Sequence, residues 1–201
     1  MDLNWPRKNE QLFKTETDFE NNACLMSSSF AQYGEHYKEA ADALITSAIN
    51  RNIYVDRAVY PAVFMYRQYL ELTLKDIIWR TRRIEHDGQG FPKIHSLDCL
   101  WSEAKRLLQQ HYGAECPKEV EYVGQCIAEF HTYDPNSTAF RYPYDARSGS
   151  ILAGLARINV RHLMETMGRI GNFLSCIASD IAERLDWCAE MERDMASECR
   201  P

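Results

Sequence analysis

Nine glycines and seven prolines in 201 residues are too few for a fibrous or disordered chain. No apolar run approaches the ~20 residues that cross a bilayer, which argues against a membrane-spanning helix. The first residues, Met1-Asp-Leu-Asn-Trp-Pro-Arg-Lys, lack the apolar stretch of an export signal. The seven cysteines are odd in number and include no Cys-x-x-Cys pair, so the close ligand pairs of a structural zinc site are missing. Reduced thiols in a cytoplasm are expected, mostly as small apolar residues within helices. Also missing are a P-loop, Gly-x-Gly-x-x-Gly, Gly-x-Ser-x-Gly and His-Glu-x-x-His, since Glu35-His36 has no second histidine four residues on. No metal and no cofactor are expected.

What is present is ordinary for one globular domain: 45% apolar and 26% charged residues, with a net charge of −6. Residues 34–50 carry Tyr37, Ala40, Ala41, Leu44, Ile45 and Ala48 at helical steps. Asp56 reads as the cap of the next helix, with Pro61 in its first turn, and that helix runs to about Arg83. Its apolar positions, from Val63 to Trp79, wrap most of the way round, the pattern of a central helix. Ser96 reads as the cap of a helix over Leu97–Leu108, and Pro117 as the opening of one that reaches Tyr133. Residues 151–195 keep an apolar stripe, with Gly168 and Gly171 the expected points of a bend or break. No segment alternates apolar and polar residues over six positions. The expected fold is all-α: an antiparallel helical bundle over 34–180 with a long C-terminal helix. Residues 1–33 would form an arm packed on the bundle, because Trp5, Leu12, Phe13, Phe19, Leu25 and Phe30 call for burial. Residues 181–201 would form an acidic helical tail: over 180–200, Asp180, Glu183, Asp186, Glu190, Glu192, Asp194 and Glu198 outnumber Arg184, Arg193 and Arg200.

Three pieces stand in a suggestive order. Glu71 and Lys75 lie four apart on the central helix. Ile94-His95-Ser96-Leu97 puts a histidine just ahead of a helix. Phe140-Arg141-Tyr142-Pro143-Tyr144-Asp145 follows a further helix. This order resembles the HEPN superfamily of helical bundles, and in particular its branch with Glu-x-x-x-Lys, His-x-Leu and Arg-Tyr-Pro-x-Asp features, over roughly residues 58–180. The resemblance implies an RNA-binding or metal-independent RNA-cleaving module of a prokaryotic defence or toxin–antitoxin type system. Its alternative is a non-catalytic interaction or regulatory subunit of a defence complex, since this branch generally lacks the ribonuclease motif. It also implies RNA or nucleotide as ligand, and a homodimer or a partner protein of a two-component system.

The residues carry their own chemistry. Glu71 and Lys75 form an i, i+4 pair, either on the surface or tying helices together if buried. His95 either braces the helix start or contacts a ligand. Arg141, held extended by the following Tyr142-Pro143, either anchors loop carbonyls or clamps a phosphate bidentately. The HEPN ribonuclease signature is an arginine, then four to six intervening residues, then a histidine. Three stretches match: Arg80–His86, Arg106–His111 and Arg157–His162. Arg157 and His162, with Asn159 in support, are the catalytic candidates. On one regular helix they would lie roughly 140° apart, so convergence would need a kink, long side chains or a second subunit. In the other reading His162 sits at a helix contact, with Arg157 and Arg161 solvated. Lys75, Arg80, Arg82 and Arg83 form a basic run at the centre, so the net negative charge does not exclude a local phosphate site.

Overall fold

The computed structural model describes residues 5, 8–13, 17–25, 29–145, 149–150, 152 and 154–198. These residues form five α-helices: α1 (Phe30–Ile49), α2 (Val55–Ile84), α3 (Leu97–Tyr112), α4 (Glu119–Tyr133) and α5 (Val160–Glu198). The extended structure among them is a two-residue antiparallel pairing of Tyr144–Asp145 with Gly149–Ser150. The protein is all-α.

Helix α2 is the hub, packed against α1, α3 and α5, while α4 lies on α3. Its Tyr66, Tyr69, Leu70, Leu74, Ile77 and Ile78 are fully buried, as expected of a helix apolar on nearly every side. A second, smaller core joins Val63 of α2 to Ala139 and Phe140, with Leu152, Leu155 and Ile158 packed around it. It lies beneath the segment that connects α4 to α5.

The helix ends show where local chemistry overrode periodicity. Helix α1 starts at Phe30, ahead of its apolar stripe, because Ser29 and Gln32 make a reciprocal capping box. Asp56 is not the cap of α2. It stands in the first turn behind Tyr54, and Pro61 lies further inside the helix. Ser96 does cap α3, accepting from the Cys99 amide. The expected helix over 151–195 is shorter at its start. Asn159 accepts from the His162 amide at 3.1 Å and opens α5 at Val160, so Leu152 and Leu155 belong to the preceding segment. Nor does α5 break at Gly168 or Gly171. A Cβ on Gly171 would stand 2.9 Å from the Lys38 Cε and 3.1 Å from the Tyr69 hydroxyl, so this glycine serves close packing on α1 and α2.

The side chains of the N-terminal segment do not pack as expected. Trp5, Leu12, Phe13 and Leu25 are exposed, and Phe30, 40% exposed, stacks on Phe91 at 3.8 Å. The side chain of Phe19 lies outside the described residues. Between 182 and 195 no residue of α5 is buried. The described cysteines are free thiols, exposed at Cys24, Cys99 and Cys176 and half-buried at Cys116, Cys126 and Cys188. They are therefore less buried than small core residues would be, and Cys199 lies outside the described residues. No described helix is long and apolar enough to cross a membrane.

Candidate functional site: a cleft at the head of the last helix

The candidate residues fall in two places. Glu71, Lys75 and His95 gather at the middle of α2, joined by two residues that sequence reading passed over, Arg67 and Asp134. Arg67, Glu71 and Lys75 follow one another at four-residue steps on one face of α2. Glu71 accepts from Arg67 Nη1 at 2.9 Å and from Lys75 Nζ at 2.9 Å. The His95 Nδ1 lies 2.7 Å from Glu71 Oε1. An ionised carboxylate only accepts, so this ring nitrogen carries the proton. Arg67 also donates to the His95 carbonyl at 2.7 Å and faces Asp134 at 3.5 Å. Asp134 in turn accepts from the Thr138 and Ala139 amides at 2.7 and 2.9 Å.

Two buried cations and two buried anions thus balance. Burial alone would push the Glu71 carboxyl up. Hydrogen bonds from Lys75, Arg67 and His95 together outweigh it and hold the carboxyl below its ordinary range. Lys75 also lies over the Phe91 ring at 5.7 Å. Of the candidates here, only the His95 ring reaches solvent, with 76% of the side chain exposed. The pair is therefore the buried, helix-tying one, and the cluster braces α2, the start of α3 and the segment after α4.

The second place is a cleft of about 270 Å³ between α2, α4, the α4–α5 connection and the head of α5. Its floor is apolar, with Val63, Leu70, Phe130, Phe140, Leu163, Met167 and Ile170. Its polar lining is Glu129, Tyr133, Arg157, Asn159, His162 and Thr166. Arg157 lies ahead of α5 rather than on it, and Asn159 is the cap. The angular separation that a continuous helix would impose therefore does not arise, and Arg157 and His162 line one cleft within one chain. Both side chains are exposed and stand outside every ion pair among the described residues. The N-terminal end of a 39-residue helix adds a partial positive charge at the same mouth.

The other two arginine–histidine matches are occupied elsewhere. Arg80 pairs with Asp76 at 2.7 Å, and His86, past the end of α2, faces Glu192 at 3.8 Å. Arg106 binds Glu103 at 2.8 Å. The His111 side chain is 5% exposed and lies 3.9 Å from Glu85. Arg141 anchors its own loop, its Nε donating to the Ser137 carbonyl, with the guanidinium 5.7 Å from the Phe64 ring centre and 5.6 Å from that of Tyr142. Its outer nitrogens carry no ion pair among the described residues. The Arg67-x-x-x-Glu71 step was visible as a spacing, and Asp134 as a turn former before Pro135. Among the described residues no group of His, Cys, Asp or Glu is arranged to hold a metal ion. No family model, curated protein or solved structure matches the chain.

Proposed function

We propose that the protein is a HEPN-like module that binds RNA and cleaves it without metal at the cleft heading α5. The observation that carries this reading is that Arg157 and His162 line one open cleft, both outside every ion pair among the described residues, beside a helix N-terminus. RNA cleavage of this class begins with attack of a ribose 2′-oxygen on the adjacent phosphorus. The 2′-hydroxyl proton goes to a base, the bond to the 5′-oxygen breaks, and that oxygen takes a proton from solvent or a second group. A cyclic phosphate and a 5′-hydroxyl result. His162 is the candidate base, and Arg157 the cation that offsets the growing charge on phosphate. Asn159 holds the His162 backbone in place.

The test is incubation of purified protein with total RNA in EDTA. Wild type is expected to cleave, and His162→Ala to lose ~10²–10⁴-fold. Equal and negligible cleavage by both proteins would overturn catalysis. A prokaryotic defence or toxin–antitoxin setting goes with this reading.

A non-catalytic interaction subunit is the second reading. It is favoured by the far end of α5, where Trp187, Met191 and Met195 are exposed at four-residue steps along an acidic helix. A second copy or a partner protein would cover that stripe. Sedimentation of the purified protein distinguishes a self-associating chain from a monomer awaiting a partner.

A further inference from the structure

Beside the cleft runs a second recess, of about 380 Å³, lined by Tyr60, Phe140, Arg141, Tyr142, Pro143 and Leu152. Phe140 is common to both and forms the wall between them. Tyr60 is 50% and Tyr142 56% exposed, which is unusual for two large rings flanking one groove. Tyr60 packs at a tilt on Phe140, with ring centres 6.4 Å apart, and half of its surface stays open. One helical turn before Tyr60, Arg57 lies over the exposed Tyr54 ring at 5.1 Å.

The electrostatics of this surface oppose those of the whole chain. Arg57, Arg141, Arg157 and Arg161 enter no ion pair among the described residues. Glu129 is the one acidic side chain lining either recess among those residues. In a protein with a net charge of −6, the two recesses thus hold Arg141 and Arg157, outside every ion pair among the described residues, beside the exposed Tyr60 and Tyr142 rings.

We propose that the Tyr60–Arg141–Tyr142 groove is a stacking subsite for single-stranded RNA, which holds a nucleotide next to the one in the Arg157–His162 cleft. This deepens the proposed function and rests on it. Open rings recognise the faces of bases, which a duplex hides between its own base pairs, and every base offers such a face. The guanidinium of Arg141, fixed through Nε and in no ion pair among the described residues, presents its outer nitrogens to the phosphate that joins the two nucleotides. A single strand is therefore the occupant that fits both features, and the preference among sequences should be weak.

Binding of a fluorescein-labelled ten-nucleotide single strand and of a hairpin duplex is measured by anisotropy, in the His162→Ala background so that no strand is cut. The single strand is expected to bind more tightly than the hairpin. Tyr60→Ala and Tyr142→Ala should each weaken it about tenfold. Tyr142→Phe should bind like the parent, because the ring alone is needed. Arg141→Ala should flatten the salt dependence by about one phosphate contact. Both tyrosines are half exposed, so melting curves of these variants should overlie the parent's. If the Tyr60→Ala/Tyr142→Ala double variant binds the single strand as tightly as the parent while Arg157→Ala loses it, the subsite is refuted and the cleft stands. Tighter binding of the hairpin also refutes the subsite. If wild type neither binds nor cuts any RNA, the proposed function falls, and the subsite with it.

Discussion

Replacing Glu71 by Gln changes one buried charge and almost no volume. Glu71 is 4% exposed and accepts from Arg67, Lys75 and His95. In the variant, two buried cations face each other across a neutral amide, with Asp134 the one anion left beside Arg67. Breaking a buried ion pair from one side costs ~3–5 kcal/mol, most of it from the stranded charge. For a chain of this size each kcal/mol lowers the melting temperature by roughly 2–4 °C, so the expected drop is roughly 6–20 °C. Circular dichroism at 222 nm follows it directly. The pH dependence separates charge from shape. The folded carboxyl lies below its ordinary range, so its contribution is fully present above the unfolded value of ~4.3 and fades as pH falls through the folded value. The gap between wild type and Glu71→Gln should therefore narrow in acid. A loss under about 1 kcal/mol at neutral pH would mean that the cluster is solvated, as surface pairs are. A gap independent of pH would mean that the damage is steric.

Two further outcomes follow from packing and burial. Gly124→Ala and Gly168→Ala should move stability in opposite directions in urea. A Cβ on Gly124 meets the Trp101 Nε1 at 2.6 Å, an overpacking of ~1–3 kcal/mol. A Cβ on Gly168 meets nothing within 4 Å, so α5 gains up to ~1 kcal/mol of helix propensity. Loss of stability in both variants would refute the open side of α5. At His111, burial and then the Arg184 cation push the ring's pKa down against Asp180 and Glu85. Its contribution is then present above the unfolded value of ~6.5 and is lost as pH falls through the lower folded value. Guanidinium midpoints should fall for wild type between pH 7 and 5, and fall less for His111→Gln. Parallel profiles would refute that environment.

The sequence made some elements legible and hid others for identifiable reasons. The central role of α2 was visible because a helix apolar all round has nowhere to go but the middle. Ser96 was visible because its hydroxyl precedes a strong stripe. Ser29 was not, because its capping partner Gln32 lies before the stripe begins. The start of α5 was misplaced because Leu152 and Leu155 share the register of the helix without belonging to it. A stripe records which residues are apolar, while the Asn159 side chain decides where the helix can begin. That misplacement had put Arg157 and His162 on one regular helix, roughly 140° apart. With Asn159 as the cap they share a cleft. Gly171 reads as a breaker in sequence, and only the approach of Lys38 and Tyr69 shows it as a packing residue. The spacing of Glu71 and Lys75 was readable, but their burial was not, since four-residue ion pairs look the same on a surface and in a core.

The two groups of candidate residues are also mechanically joined, which neither spacing nor composition reveals. Arg67 faces Asp134 from within the charge cluster, and Asp134 holds the Thr138 and Ala139 amides. The next residue is Phe140, the wall shared by the cleft and the aromatic groove. Arg141 then bonds back to Ser137 and closes the turn on itself. A segment of this polarity would ordinarily move, because its backbone groups could be satisfied equally well by water. Here its amides are tied to a carboxylate that is 2% exposed and balanced by a buried guanidinium. Letting the segment swing away would leave Glu71 as the one carboxylate shared by the buried Arg67 and Lys75, an excess buried positive charge of the same count as in the Glu71 substitution. The cluster therefore needs no contact with a ligand to matter at the site. By making displacement of Phe140 costly, it keeps the wall between the two recesses in one position. That rigidity is what a site needs if it is to seat successive nucleotides in register.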